Sequence, residues 1–346
     1  MRIIYIIITM ITTIGISSCE HKELYYPYLD LVTLRLVFDW RDALEASPQG
    51  MVVYAYPQDN TGLQYHRFYF SNTIGGEIQL PAGTYRFITY NSDTEVAHGF
   101  NVHDFDNHHL FTREAWLLEP AKGTRSTNDG LPRLDGTENE RVIAEPDQLW
   151  GCTAIDVEVS EQGVSYRCFP FEEKDDWINV PPIVAEHIIT LYPHDLLCHY
   201  SYEVRNVKNL AQVTEMCGVL TGMSPTLHLS DELLGEECVS IPVKAYKADA
   251  NTIKGEFLTF GHNEQNDNSH LFGLYLWLKS GENYFIGNRE ARFNVTSQIH
   301  AAPDRRRVHY IIDGLDLPDG GDGPGNGTPF DGTFDDWNDN NADIIM

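Results

Sequence analysis

The strongest constraint in this 346-residue chain is a two-residue rhythm that returns in short bursts. Val32, Leu34, Leu36, Phe38 and Trp40 alternate with Thr33, Arg35, Val37 and Asp39. Successive side chains of a strand point to opposite faces, so this pattern predicts a half-buried strand. Residues 51–56 predict a second, stopped by Pro57 and the turn formers Asp59, Asn60 and Gly62. Residues 67–70 predict a third. Residues 76–80, Pro81-Ala82-Gly83 and residues 84–91 predict a hairpin with its breakers between the two arms. Further strands are expected at 154–159, 188–192, 198–204, 239–246, 255–260, 271–278, 283–286 and 308–312. One short helix is expected after Asn209, which would cap it. Gln212 follows three residues on, and Leu210, Val213, Met216 and Cys217 fall at roughly helical spacing before Gly218. Many short strands with regular turns and almost no helix predict an all-β architecture of sandwiches.

The length suits about two domains. We divide the chain into an N-terminal sandwich at 31–170 and a C-terminal sandwich at 171–318. The crossover is the charged stretch from Phe169 to Pro182, and the second domain is expected to open with the strand at 188–192. Residues 120–139 are poor in apolar side chains and read as a surface loop. Residues 319–346 begin as a Gly/Asp-rich linker. They end with Phe330, Phe334, Trp337 and an apolar terminus. This end reads either as a segment that pairs with a strand or a partner, or as a disordered acidic tail.

The N-terminus carries Arg2, a short apolar run and small residues before Cys19, which is the layout of a secretory signal at 1–18. The run is shorter than the ~18 residues of a spanning helix. Ser17-Ser18-Cys19 resembles a bacterial lipobox, which implies that Cys19 becomes the first mature residue and carries acyl chains such as palmitate. Acyl burial is worth about 0.8 kcal/mol per CH2, so more than one chain holds lastingly to a membrane. The alternative is a plain leader with Cys19 incidental. Residues 19–30 then form a tether. Its acidic start, Glu20 and Glu23, resembles an export signal of Bacteroidales surface lipoproteins; an ordinary solvated linker reads equally well.

The net charge is −27. A chain so acidic has no Lys/Arg stripe with which to displace counterions, which excludes nucleic acid as a partner. It also excludes charge-driven adhesion to anionic lipid, so membrane attachment has to be hydrophobic. Without Cys19 five cysteines remain, an odd number that cannot form a complete disulfide framework. Cys152 with Cys168 is the preferred pair. No phosphate loop or GxSxG elbow occurs, since Gly218-Val219-Leu220-Thr221-Gly222 has Leu220 at the nucleophile position and Thr221 after it. His108-His109, and His194 with Cys198-His199, lack metal-ligand spacing. Asp336, Asn338 and Asn340 lack the glycine and closing glutamate of an EF-hand. No cofactor, metal or catalytic residue is assigned.

Several stretches resemble the fimbrillin-like lipoproteins of Bacteroidales, the stalk, anchor and accessory subunits of type V pili. They are the hairpin Leu80 to Asn91, Glu145 to Trp150, Tyr202 to Leu210 with Gly222-Met223-Ser224, Gly255 to Gly261, and Asn294-Val295-Thr296. The resemblance implies two tandem transthyretin-like Greek-key sandwiches, the second with one short helix, and no catalysis. It implies other fimbrillin-like subunits as partners, an outer-membrane location and contacts by strand addition. It also implies an Arg cut site in subunits that polymerise. Arg113, Arg125, Arg133 and Arg141 are candidates, with Arg125 and Arg133 the more accessible. The alternative is a surface protein that binds glycan or protein through exposed aromatics such as Trp116 or Trp277.

Overall fold

The computed structural model describes residues 31–58, 64–123, 128–168, 181–263, 269–287, 291–317 and 328–330. The earlier strands are β1 (Leu31–Phe38), β2 (Met51–Pro57), β3 (His66–Phe70), β4 (Gly75–Pro81), β5 (Gly83–Asn91), β6 (Ala97–Phe100) and β7 (His109–Thr112). Next come β8 (Arg141–Val142), β9 (Trp150–Ser160), β10 (Gly163–Arg167), β11 (Ile183–Ala185), β12 (Ile188–Leu191) and β13 (His194–Asp195). Then follow β14 (Cys198–Lys208), β15 (Val213–Met223), β16 (Thr226–His228), β17 (Val239–Lys244) and β18 (Tyr246–Lys247). The last are β19 (Ile253–Thr259), β20 (Phe272–Leu278), β21 (Asn283–Ile286), β22 (Arg307–Asp316) and β23 (Thr328–Pro329). Two short helices, α1 (Glu119–Lys122) and α2 (Thr296–His300), accompany them.

A first sandwich packs the sheet β12-β1-β4 on the sheet β11-β10-β9-β5-β2-β3. Its interior takes Val32, Leu34, Leu36 and Phe38 from β1, Met51, Val53 and Ala55 from β2, and Tyr85 and Phe87 from β5. A second sandwich packs β18-β19-β14-β22 on β23-β21-β20-β15-β17-β8. Its interior takes Tyr200, Tyr202 and Val204 from β14, Phe272, Leu274 and Leu276 from β20, and Tyr310 and Ile312 from β22. Gly255 on β19 is fixed by crowding. A Cβ there would lie 2.2 Å from the Lys244 carbonyl oxygen and 2.4 Å from the Tyr202 ring.

Two further apolar layers cover the backs of these sheets. Val52, Tyr54 and Tyr56 of β2 and Ile88 and Tyr90 of β5 face away from the first core. They pack against Leu110, Leu149, Leu196, Leu227 and Phe260, which ties the two sandwiches together through the small sheet β16-β7-β6. Cys217, Val219, Tyr275, Trp277 and Phe285 face away from the second core and pack against Ala115, Leu117, Leu118, Leu134 and Val142.

Five expectations change here. Strands β4 and β5, expected as the two arms of a hairpin, lie in opposite sheets, because β4 pairs with β1 while β5 pairs with β2 and β9. Residues 120–139 are not a plain surface loop, because Leu134 is buried and Tyr275 donates a hydrogen bond to the Pro132 carbonyl. A few apolar residues among polar ones are enough to dock the segment. The helix expected after Asn209 is a single 3-10 turn at Leu210–Gln212, and Val213, Met216 and Cys217 belong to β15. Asn209 takes a left-handed backbone and its side chain bonds the Leu317 carbonyl instead of capping. β-Branched Val213 and Thr214 favour the strand. The strand at 188–191, expected to open the second half, runs parallel to β1 and completes the first sandwich. Trp277 is buried beneath Phe330, with Lys122 over its ring, so it is no exposed aromatic platform.

The alternation on β1 makes a direct prediction. Leu34→Ala, at a fully buried site, should cost about 2–5 kcal/mol in denaturant unfolding, while Thr33→Ala on the exposed face should stay within about 0.5 kcal/mol.

Candidate interaction surface

Strand β1 is paired along both of its edges. It lies between β12 and β4 and is the link that makes these strands one sheet. Its register against β4 runs antiparallel from Leu31 opposite Pro81 to Val37 opposite Gly75, and its partner on the other side, β12, runs parallel. Alternate side chains fill the first core, which fixes the register of β1.

The outer edges differ between the two sandwiches. On the second, the edge of β22 is blocked by one side chain. Gln298 Nε2 donates to the Ile311 carbonyl at 2.9 Å, and Ile311 N–H donates to Gln298 Oε1 at 2.8 Å. Strand β8 covers β17, and β23 covers part of β21. Phe330, next to β23, packs edge-on to Tyr275 and Trp277. The expected pairing of the tail with a strand is thus met at residues 328–330, and the rest of the tail lies outside the described residues. On the first sandwich, β3 and β4 end their sheets with no further strand among the described residues. Tyr69 on β3 is 63% exposed, with the Arg67 guanidinium over its ring. Unpaired edges of this kind are templates for another chain.

The histidines singled out in the sequence serve the fold. His108 is fully buried between the sandwiches, where its Nδ1 lies 2.8 Å from Tyr56 Oη and its Nε2 3.4 Å from Tyr90 Oη. Burial pushes His108 down to about 4, with His109 adding a smaller effect. His109 Nδ1 lies 2.9 Å from the Asn107 carbonyl oxygen. His194 pairs with Glu232 at 2.9 Å, and Arg306 meets the other oxygen of the same carboxylate. His199 pairs with Asp195, and the Cys198 thiol points to the Phe260 carbonyl. These groups do not converge on one point. Cys152 and Cys168 lie side by side in the first core as unbridged thiols, and burial pushes Cys152 well above its ordinary range.

Cys19 and Arg125 lie outside the described residues. Arg133 is half-buried and donates to the carbonyls of Thr137 and Glu140 at 3.1 and 2.9 Å. Arg113 pairs with Glu119, and Arg141 pairs with Glu237. A cut after Arg133 would also separate β1–β7 from the rest, not one strand. A groove of about 520 Å3 on the β14 sheet carries Glu145 and Glu256. Burial raises Glu145, whose carboxylate accepts the Leu258 N–H at 2.8 Å.

Two sandwiches in tandem also make up solved structures from Bacteroidales. One of them is a candidate adhesin from Bacteroides ovatus, with 16% identity, coverage of 85% of this chain and 93% of that one, and a TM-score of 0.54. Weaker likenesses reach a candidate polysaccharide-binding protein from Bacteroides thetaiotaomicron (12% identity, 83% and 92% coverage, TM-score 0.44) and the fimbrial anchor protein Mfa2 from Porphyromonas gingivalis (10% identity, 81% and 90% coverage, TM-score 0.42). The likeness to the Bacteroides ovatus structure bears out the two-sandwich fold that the fimbrillin-like resemblance implied. Residues 18–244 match the family model described as a domain of unknown function, DUF5119, and the chain belongs to that family. No curated protein matches the chain.

His108 gives this region a pH signature. Its lowered value stabilises the fold above pH 6.5, and that contribution is lost as pH falls from about 6.5 to about 4. The loss amounts to about 3 kcal/mol. Stability measured across that window should fall less steeply in His108→Gln than in the parent, with His262 and His270 retaining their own share of the slope.

Proposed function

We propose that the chain is a surface-exposed outer-membrane lipoprotein, held by acylated Cys19, that serves as an anchor or accessory subunit of a type V pilus. It engages other fimbrillin-like subunits by strand addition and performs no catalysis. The observation that carries this reading is the pair of open edges, β3 and β4, in the sandwich nearest the N-terminus. Their free backbone N–H and C=O groups are what a neighbouring subunit's strand can pair with. The adhesin from Bacteroides ovatus shares the fold, and the fimbrial anchor from Porphyromonas gingivalis is a weaker likeness, so the role agrees with the company the chain keeps.

The alternative, a glycan-binding surface protein, loses one of its two aromatic candidates because Trp277 is buried, while Trp116 is half-buried. Two measurements test the proposal. Cys19→Ala should move the protein from the membrane to the soluble fraction. Cross-linking on intact cells should recover fimbrillin-like subunits. Retention of the Cys19→Ala protein in membranes would defeat the anchor, and recovery of glycan-processing partners alone would defeat the pilus role.

A further inference from the structure

His262, His270 and His300 come from three separate elements and meet at one end of the second sandwich. His262 follows β19, His270 precedes β20 and His300 ends α2. One ring nitrogen from each lies within 4.8 Å of the other two. The ring centroids form a nearly equilateral triangle of 4.9, 5.1 and 5.1 Å. Three imidazoles on one tetrahedral zinc, at about 2.0–2.1 Å each, would place their centroids about 5 Å apart.

The outer nitrogens are already committed in the way a metal site needs. His270 Nδ1 lies 3.1 Å from the Thr221 carbonyl oxygen, which accepts its N–H and leaves the Nε2 lone pair free. That Nε2 faces His300 Nε2 at 3.1 Å, close to the ~3.3 Å between two nitrogens on one tetrahedral ion. His262 Nδ1 lies 3.0 Å from Tyr200 Oη, so Tyr200 can accept that proton and leave Nε2 as the ligand. The His270 backbone is held as well, because its N–H donates to Thr296 Oγ1 at 2.8 Å. Gly222, left-handed at φ +76, is packed against the ring: a Cβ there would lie 2.9 Å from His270 Nδ1. His270 is 2% exposed and His262 9%, while His300 is exposed, so the cluster has a buried floor and one open side.

We propose that His262, His270 and His300 form a zinc site with three imidazole ligands and one open position. An all-nitrogen donor set suits zinc or copper and excludes calcium and magnesium, which require oxygen. The ion would tie α2 to the strands β19 and β20. The site is independent of the pilus reading, and either can fail without the other.

The test uses the full chain in detergent, made without a histidine tag and stripped with a chelator. One equivalent of Co2+ should give the visible absorption of a four- or five-coordinate nitrogen site. Zn2+ should displace it and raise the Tm by a few degrees. His300→Gln, at an exposed position, should still fold in the metal-free state, with a circular dichroism spectrum like the parent's, and weaken binding about 100-fold or more. His262→Gln should weaken binding similarly, and His109→Gln should leave it intact. Failure of the parent chain to bind one equivalent, or equal binding by His300→Gln, would overturn the site.

Discussion

The structure depends on central strands that are buried on both faces. In β2 every residue from Met51 to Tyr56 is buried, and in β20 every residue from Phe272 to Leu278. Odd positions of β2 enter the first core and even positions enter the layer between the sandwiches. On β20, Phe272, Leu274, Leu276 and Leu278 enter the second core, and Tyr275 and Trp277 face the other way. A sandwich needs only one apolar face per sheet. Here the second faces have to be covered, and the small sheet β16-β7-β6, the segment around Leu117 and Leu134, and Phe330 cover them. At roughly 25 cal/mol per Å2 of apolar surface, leaving such faces wet would cost more than docking a polar segment with a few leucines.

The same property decides what could be read in advance. Where one face is solvated, as on β1, the alternation in the sequence maps directly onto the fold. Strands β4, β5, β9, β19 and β22 also stand where turns and alternation placed them, although β4 and β5 fall in opposite sheets and form no hairpin. Where both faces are buried the alternation vanishes, and β15 became legible as helix because Met216 and Cys217 are apolar neighbours that serve opposite cores. The covering segment was misread for the converse reason. Its docking rests on isolated residues such as Leu134, which a composition window averages away. The parallel partnership of β1 with β12 joins residues more than 150 positions apart, and no local pattern encodes it. The three converging histidines are invisible for a related cause. They lie in three elements without a shared motif, while the adjacent pair His108-His109, which drew attention, splits between a buried ring and a surface one.

Covering the second faces also settles which edges are left. The second sandwich spends β8, β23 and the Gln298 amide on closing its edges. A glutamine amide that satisfies both backbone groups of Ile311 denies an incoming strand the paired donor and acceptor it needs. The first sandwich has no such devices at β3 and β4 among the described residues. Among the described residues, the longer strands that end a sheet without such a device are therefore β3 and β4, in the half of the molecule nearest the N-terminus.

That placement has a mechanical logic in the proposed anchor. The residues between Cys19 and Leu31 can span at most about 40 Å, at 3.3–3.6 Å each. A pull from the membrane would therefore enter the fold at the first residue of β1. Strand β1 is held along its length by β4 on one side and β12 on the other, and its inward side chains are locked in the core. Load along the strand axis shears these hydrogen bonds together instead of unzipping them one by one. A strand flanked on both sides resists such load far better than an edge strand would. The central position of β1 in its sheet thus suits the proposed anchor, in which the tethered strand takes the load and the open edges of β3 and β4 are left to take an added strand.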